Sequence, residues 1–223
     1  PARLGPPAGA GRWSLTPDLV TDPTRRAHAL AEQMLERHGI VTRGALAIER
    51  APGGFASVYP VLKAMEESGR CRRGYFVDGL GGAQFAQSGA VDRLRALAEE
   101  EADPQTQVLA AADPANPYGA ALPWPPREGG ARAGRKAGAV VVLVGGALAL
   151  YVERGARTIL SYSDDPAAIR PAVDALVLSA REGHLGRLSV ERADGESVLD
   201  TPLADALLEA GLKLTCRGLR LRA

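Results

Sequence analysis

One stretch limits the fold more than any other: Gly53 to Gln87, GGFASVYPVLKAMEESGRCRRGYFVDGLGGAQFAQ. Its apolar period changes midway. Val58, Val61, Leu62 and Met65 recur at i, i+3, i+4 and i+7, one face of a helix. Ser57 is a good N-cap and Pro60 is best tolerated in a first turn, so the helix is predicted to start near Ser57. Gly69 is placed to end it in a left-handed conformation. Arg70, Arg72 and Arg73 follow, and Tyr75 and Phe76 are expected to alternate across a strand. Asp78 to Gly82 reads as a glycine-rich turn, and Ala83 to Ala86 as the returning strand. Helix, basic turn and two-stranded wing are the nucleic-acid-facing half of a winged helix-turn-helix. A helix whose N-terminus meets a groove, beside an arginine-lined hairpin, suits a polyanion. A charge run of this kind equally serves to solvate a hairpin.

The residues before this stretch supply the other helices. Asp22-Pro23 is an N-cap followed by a first-turn proline. Ala27, Leu30, Ala31, Met34 and Leu35 form one apolar face, and Gly39 stops the helix. Thr42 can cap a shorter helix through Ala45, Leu46 and Ile48. A fourth helix is predicted over Gly89–Glu101, with Val91, Leu94, Leu97 and Ala98 inward and Glu99 to Glu101 facing away from nucleic acid. Residues 1–21 read as linker and lead-in, and residues 22–102 as the winged-helix domain.

Val108 to Ala112 is a candidate strand, inside a proline-rich connecting segment over 103–136. That segment is either a functional loop or a rigid strap between domains. From Ala137 the pattern turns to β, with strands over Ala139–Val144, Ala147–Val152, Arg157–Tyr162 and Arg187–Glu191. Helices are predicted from Asp165-Pro166 and from Thr201-Pro202, and Leu212 to Leu221 alternates apolar with basic residues. The expected class is therefore α+β: a winged helix-turn-helix domain, then a small antiparallel β-barrel or curved-sheet domain with two helices over 137–223.

Composition adds a few limits. The net charge of +1 is uninformative, but Lys213 to Arg222 holds four basic residues and no acid. Two cysteines, Cys71 and Cys216, fit reduced thiols, with a disulfide left open. His28, His38 and His184 have no metal-ligand spacing, so no metal is expected. The longest apolar run, Ala137 to Tyr151, is too short for a bilayer, so the expected setting is cytoplasmic and nucleoid-associated, without a membrane partner. A chain opening at Pro1 without methionine is expected to be a piece of a longer polypeptide.

The candidate DNA contacts are Arg43, Lys63, Arg70, Arg72 and Arg73 for phosphates, and Tyr59 or Tyr75 for stacking on bases. Asp78, Asp113, Asp164 and Asp165 each read as turn or cap residues. Asp113 is also a weak catalytic candidate, because Asn116 and Tyr118 beside it could form a pocket for a flipped base and a water. There is no GxxxxGK[ST] loop, and Gly79 to Gly82 lacks the following Lys-Ser/Thr, so no ATPase is expected from this chain.

Several blocks together carry a family resemblance: HGIVTRGAL, the PGGF-to-AQFA stretch, AADPANPYGAALPWP, RKAGAVVVLVGGALALYVERGARTIL and LLEAGLKLTCRGLRLR. Over roughly Arg12 to Ala223 the chain resembles the C-terminal region of the Lhr family, the bacterial large helicase-related proteins. The resemblance implies a module of an ATP-dependent 3′-to-5′ DNA helicase linked to DNA repair, whose motor, with its ATP and magnesium, lies outside this chain. It implies tandem winged helices and a β-barrel similar to AlkZ-type glycosylases, some members being associated with uracil-DNA glycosylase activity. It implies as partners DNA, single-stranded or junction-containing, and the helicase core of the same polypeptide. The Gln-x-Gln or Gln-x-Asp motif of AlkZ relatives has no good match. Gln84 and Gln87 are one residue too far apart, and Gln105 and Gln107 are in the wrong place. Three functions stay open: a DNA-binding module, a DNA glycosylase domain, and an oligomerisation module giving a homo-oligomer.

Overall fold

The computed structural model describes residues 14–99, 104–127 and 131–222. The expected linker over Pro1 to Gly11 and the acids Glu100 and Glu101 lie outside the described residues, as do the side chains of Ala98 and Glu99.

The first helix, α1, spans Pro23–His38. Asp22 Oδ1 accepts from the amides of Thr24 and Arg25 at 2.7 and 3.1 Å, and Gly39, at φ 65°, ends the helix. Thr42 caps α2, Arg43–Ile48, by accepting from the Ala45 amide at 3.1 Å. Helix α3, Gly54–Glu67, lays Val58, Leu62 and Met65 against Ala31, Met34 and Leu35 of α1 and Leu46 of α2. Three strands complete the unit: β1 Ile40–Val41, β2 Cys71–Gly74 and β3 Gln84–Gln87, in the antiparallel order β1-β3-β2. This is a winged helix. The sequence pattern did not show β1, because two residues cannot display a period.

Three local expectations change. Helix α3 starts at Gly54, three residues before Ser57, from Gly53 held at φ 75°. Ser57 instead donates to the carbonyls of Pro52 and Gly54 at 2.9 and 2.8 Å, and Pro60 sits inside the helix on its exposed side. The end of α3 is as expected: Gly69 (φ 74°) and Arg70 donate to Glu66 and Met65 carbonyls, a Schellman closure. Tyr75 and Phe76 fall beyond β2, because the chain turns after Gly74 and Phe76 folds back over it. Gln84 closes that turn. Its side chain is 1% exposed, accepts from the amides of Phe76 and Val77 at 3.0 and 2.9 Å, and donates to the carbonyls of Val77 and Gly81. Finally, α4, Ala90–Glu99, does not turn its leucines inward: Leu94 is 40% and Leu97 63% exposed.

The remaining residues build on β4 Thr106–Ala110, β5 Val140–Val144, β6 Ala147–Val152, β7 Thr158–Ser161, β8 Ser189–Val190, β9 Arg192–Ala193 and β10 Glu196–Ser197. A six-stranded sheet runs β10-β9-β7-β6-β5-β4, antiparallel except for β7 with β9. Its outer strands β4 and β10 do not meet, so the sheet is open and the barrel expectation gives way to its curved-sheet alternative. A three-stranded sheet, β11 Lys213–Thr215, β12 Gly218–Arg220 and β8, stands apart, so the alternating tail is a hairpin rather than one strand.

The hairpin β5–β6 is apolar on both faces. Val142, Val144, Leu150 and Val152 pack under α5 (Pro166–Arg181) and α6 (Leu203–Glu209), with Val173, Leu176 and Leu207. Val141, Leu143, Leu148 and Tyr151 face the other way and are covered by the loop after β4, through Tyr118 and Trp124. The proline-rich segment therefore belongs to the sheet: β4 pairs with β5 along its whole length, and the loop lids the second face. Trp124 stacks on Tyr118 (6.2 Å) and meets Tyr151 edge-on (5.8 Å). Gly119, at φ 70°, is required there, since a Cβ would lie 2.3 Å from the Trp124 indole nitrogen. Asn116, wholly buried, donates to Ala111 O at 2.9 Å and accepts from the Tyr118 amide at 3.1 Å. Arg135 donates to the carbonyls of Ala112, Asp113, Asn116 and Tyr118.

Replacing Gln84 or Asn116 by Ala should each lower unfolding free energy by about 1–3 kcal/mol in urea denaturation, since buried backbone groups lose their partners. The exposed Gln87→Ala should stay within about 0.5 kcal/mol. Glu49 accepts from Arg37 (2.5 Å) and pairs with His38 (3.3 Å). The Arg37 hydrogen bond is the main cause holding its carboxyl below the ordinary value, against a partial offset from burial. Its contribution is thus present above the unfolded-state pKa and is lost as pH falls through the lower folded one. Thermal melts from pH 7 down to pH 3 should show a smaller acid-induced drop in Glu49→Gln than in the wild type.

Candidate nucleic-acid interface

The wing arginines do not share one face. Strand β2 alternates sides, so Cys71 and Arg73 lie on the core side with Gln87 and Phe85, and Arg72 lies opposite with Ala86. Arg73 turns to α3, where its Nε is 3.3 Å from Glu66 and its Nη1 is 3.5 Å from the Tyr59 hydroxyl. Arg70 precedes the strand and turns back to α1, pairing with Glu32 and lying 3.0 Å from His28 Nε2. Lys63 pairs with Glu67 one turn on, at 3.7 Å. Arg72 has no carboxylate partner among the described residues.

Exposed ion pairs of this kind are worth about 0–1 kcal/mol, so a phosphate could compete for Arg70 or Arg73. The carboxylates of Glu32, Glu66 and Glu67 would still stand beside it and weaken the local potential. Of the expected phosphate contacts, Arg70, Arg72 and Arg73 are therefore sent three ways by pleat and pairing.

A different set does converge. Arg43, at the first turn of α2, lies over the Phe55 ring at 5.8 Å. Phe55, Tyr59 and Phe85 form an aromatic cluster with centroids 5.7 to 6.5 Å apart. Arg43, Gly53, Phe55, Ala56, Tyr59 and Ala83 line a cleft of about 640 Å³ between α2, α3 and the wing. Tyr75 stands 83% exposed beyond β2, its hydroxyl over Gly82. A cation, partly exposed aromatic rings and a wing tip can hold a phosphate and stack a base. Sequence reasoning named Arg43 and Tyr59 but missed Phe55. With the helix expected to start near Ser57 it fell outside the helical stripe, although its ring directly follows Gly53-Gly54 and lies three residues before Val58, on the same helical face.

The polar groups of the Asp113 loop have partners within the fold. Asp113 Oδ1 accepts from the Ala115 amide at 2.8 Å, an Asx turn. The Asn116 amide is used within the loop, and the Tyr118 hydroxyl donates to Gly146 O and accepts from the Leu148 amide, both at 3.2 Å. The polar groups expected to hold a base hold the loop to the sheet instead. Gln84, from the pair compared with the AlkZ motif, is likewise used in the wing turn. Both cysteines are free thiols, Cys71 buried and Cys216 exposed. Burial is the main cause pushing the Cys71 thiol above its ordinary value. No described helix is long and apolar enough to cross a membrane.

Comparison with known proteins agrees with this geometry. Residues 20–106 match the model of the winged-helix domain of the large helicase-related protein. The chain is 50% identical over 227 aligned residues to a Mycolicibacterium smegmatis protein described as "Lhr helicase/ probable uracil glycosylase", a match covering 97% of this chain. It is 42% identical over 214 residues to an Escherichia coli protein described as "Lhr helicase/uracil glycosylase", covering 94% of this chain. The chain spans only 15% and 14% of the length of these two relatives. Over that shared stretch the chain belongs to the large helicase-related family, with a winged helix of that family as its first folded unit.

Proposed function

We propose that this chain is a DNA-binding module acting beside the helicase motor of a longer polypeptide, during DNA repair in the cytoplasm. ATP and magnesium serve that motor, and the chain itself holds DNA. The observation that carries this reading is the Arg43–Phe55–Tyr59 cleft at the head of α3, flanked by the exposed Arg72 and Tyr75. A positive group over an aromatic floor favours a single strand, whose bases are free to stack. The relatives' names include uracil glycosylase, but here the Asp113 carboxylate is committed to a turn, so base removal is not part of the proposal.

The double variant Arg43→Ala/Arg72→Ala should weaken binding to single-stranded DNA and reduce the log K versus log salt slope by about 1.4, two contacts at about 0.7 each. Arg70→Ala should change the slope much less. Fluorescence anisotropy from 50 to 200 mM salt measures both. An unchanged affinity and slope in the double variant would remove the wing and cleft as the DNA surface.

A further inference from the structure

Among the described residues, a cluster of cations without carboxylate partners lies away from the wing, on and beside the small sheet of β8, β12 and β11. We propose that the outer face of this sheet is a second DNA-contacting surface, which takes the sugar–phosphate backbone of the strand held at the winged helix. The proposal rests on the DNA-binding reading above.

Register places the charges. Lys213 lies directly across from Arg220, and Arg220 across from Ser189. The pairing continues past β12, where the Leu221 amide donates to Leu188 O at 3.0 Å, and this brings Arg222 beside Arg187. Cross-strand partners share a face and side chains alternate every residue. Lys213, Arg220, Arg187 and Arg222 therefore all project from the same side, and Val190 and Leu219, both 0% exposed, project into the core. Arg181, in the last turn of α5, adds a fifth cation at the rim. All five are exposed. They line one groove of about 970 Å³, with no carboxylate in its lining. None of the five forms an ion pair among the described residues, although Arg70, Arg73 and Lys63 near the wing all do. Leu185, Leu214 and Leu221 line the same groove, the latter two from the opposite, core-side register of the sheet, and Leu214 is 66% exposed.

The arrangement works against folding. Like charges directly opposite on a sheet are destabilising. Nothing within the described fold answers them. A run of anions spaced along a groove would, and a nucleic-acid backbone is such a run. An exposed α-carboxylate or single phosphate would engage only part of a five-cation groove.

The test uses the intact chain with labelled oligothymidylate and with a blunt DNA duplex. Lys213→Ser/Arg220→Ser and Arg187→Ser/Arg222→Ser should each reduce the salt slope on single strands by about 1.4. Between 50 and 200 mM salt, the wild type should then lose about sevenfold more affinity than either variant, fourfold salt raised to the power 1.4. The melting temperature of Lys213→Ser/Arg220→Ser should hold or rise, and the charge-keeping Lys213→Arg/Arg220→Lys should bind as the wild type does. An unaltered slope in both serine variants, with the Arg43→Ala/Arg72→Ala slope reduced, would overturn this inference and leave the winged-helix site standing. Absence of wild-type binding to either DNA would overturn both. Equal displacement by polyglutamate of matched charge would also overturn it, by showing a general anion surface rather than one fitted to a sugar–phosphate chain.

Discussion

The hairpin β5–β6 has no polar face to offer water, and the second half of the molecule is arranged around that fact. Val142, Leu150 and Val152 require cover on one side, and Val141, Leu143 and Tyr151 on the other. Two helices supply the first cover. The second is a loop, and an irregular loop can lie on a sheet only if its own amides and carbonyls are satisfied. Asn116 and Arg135 meet that need, and the prolines help by removing donors that would otherwise need partners. The loop's polar side chains, Asp113, Asn116 and Tyr118 among them, are therefore used as building material.

The winged-helix half was largely legible. Asp22-Pro23, Thr42, Gly39 and Gly69 set helix ends through local chemistry that depends on few neighbours, and each acts where its residue type implies. Pro60 misled, because proline's preference for a first turn is a local tendency and the packing of Val58 and Leu62 fixed the helix start earlier. The barrel was not readable as open, since closure depends on whether β4 and β10 meet, and no short-range pattern records that. The leucines of α4 show the same limit. Their spacing marks a helical face correctly, but a face does not state what covers it, and within the described chain Leu94 and Leu97 remain exposed.

The site was less legible than the fold. Composition revealed a cluster of arginines after α3, but direction was set by the two-residue pleat and by acids distant in sequence. Glu32 is 38 residues from Arg70, and no spacing rule couples them. The converse held at the C-terminus. Lys213, Arg220 and Arg222 fall in one basic tract, but Arg187 lies far from it, and only antiparallel register assembles the four on one surface.

Pro60 has one more effect. An α-helical carbonyl normally receives the amide four residues ahead, and for Ala56 that residue is Pro60, which has none to give. Ala56 lines the cleft beside Arg43 and Phe55. The helical backbone there lacks that amide, in a cleft also lined by a guanidinium that can only donate. A ligand edge that carries donors and acceptors side by side would complement both halves of that asymmetry.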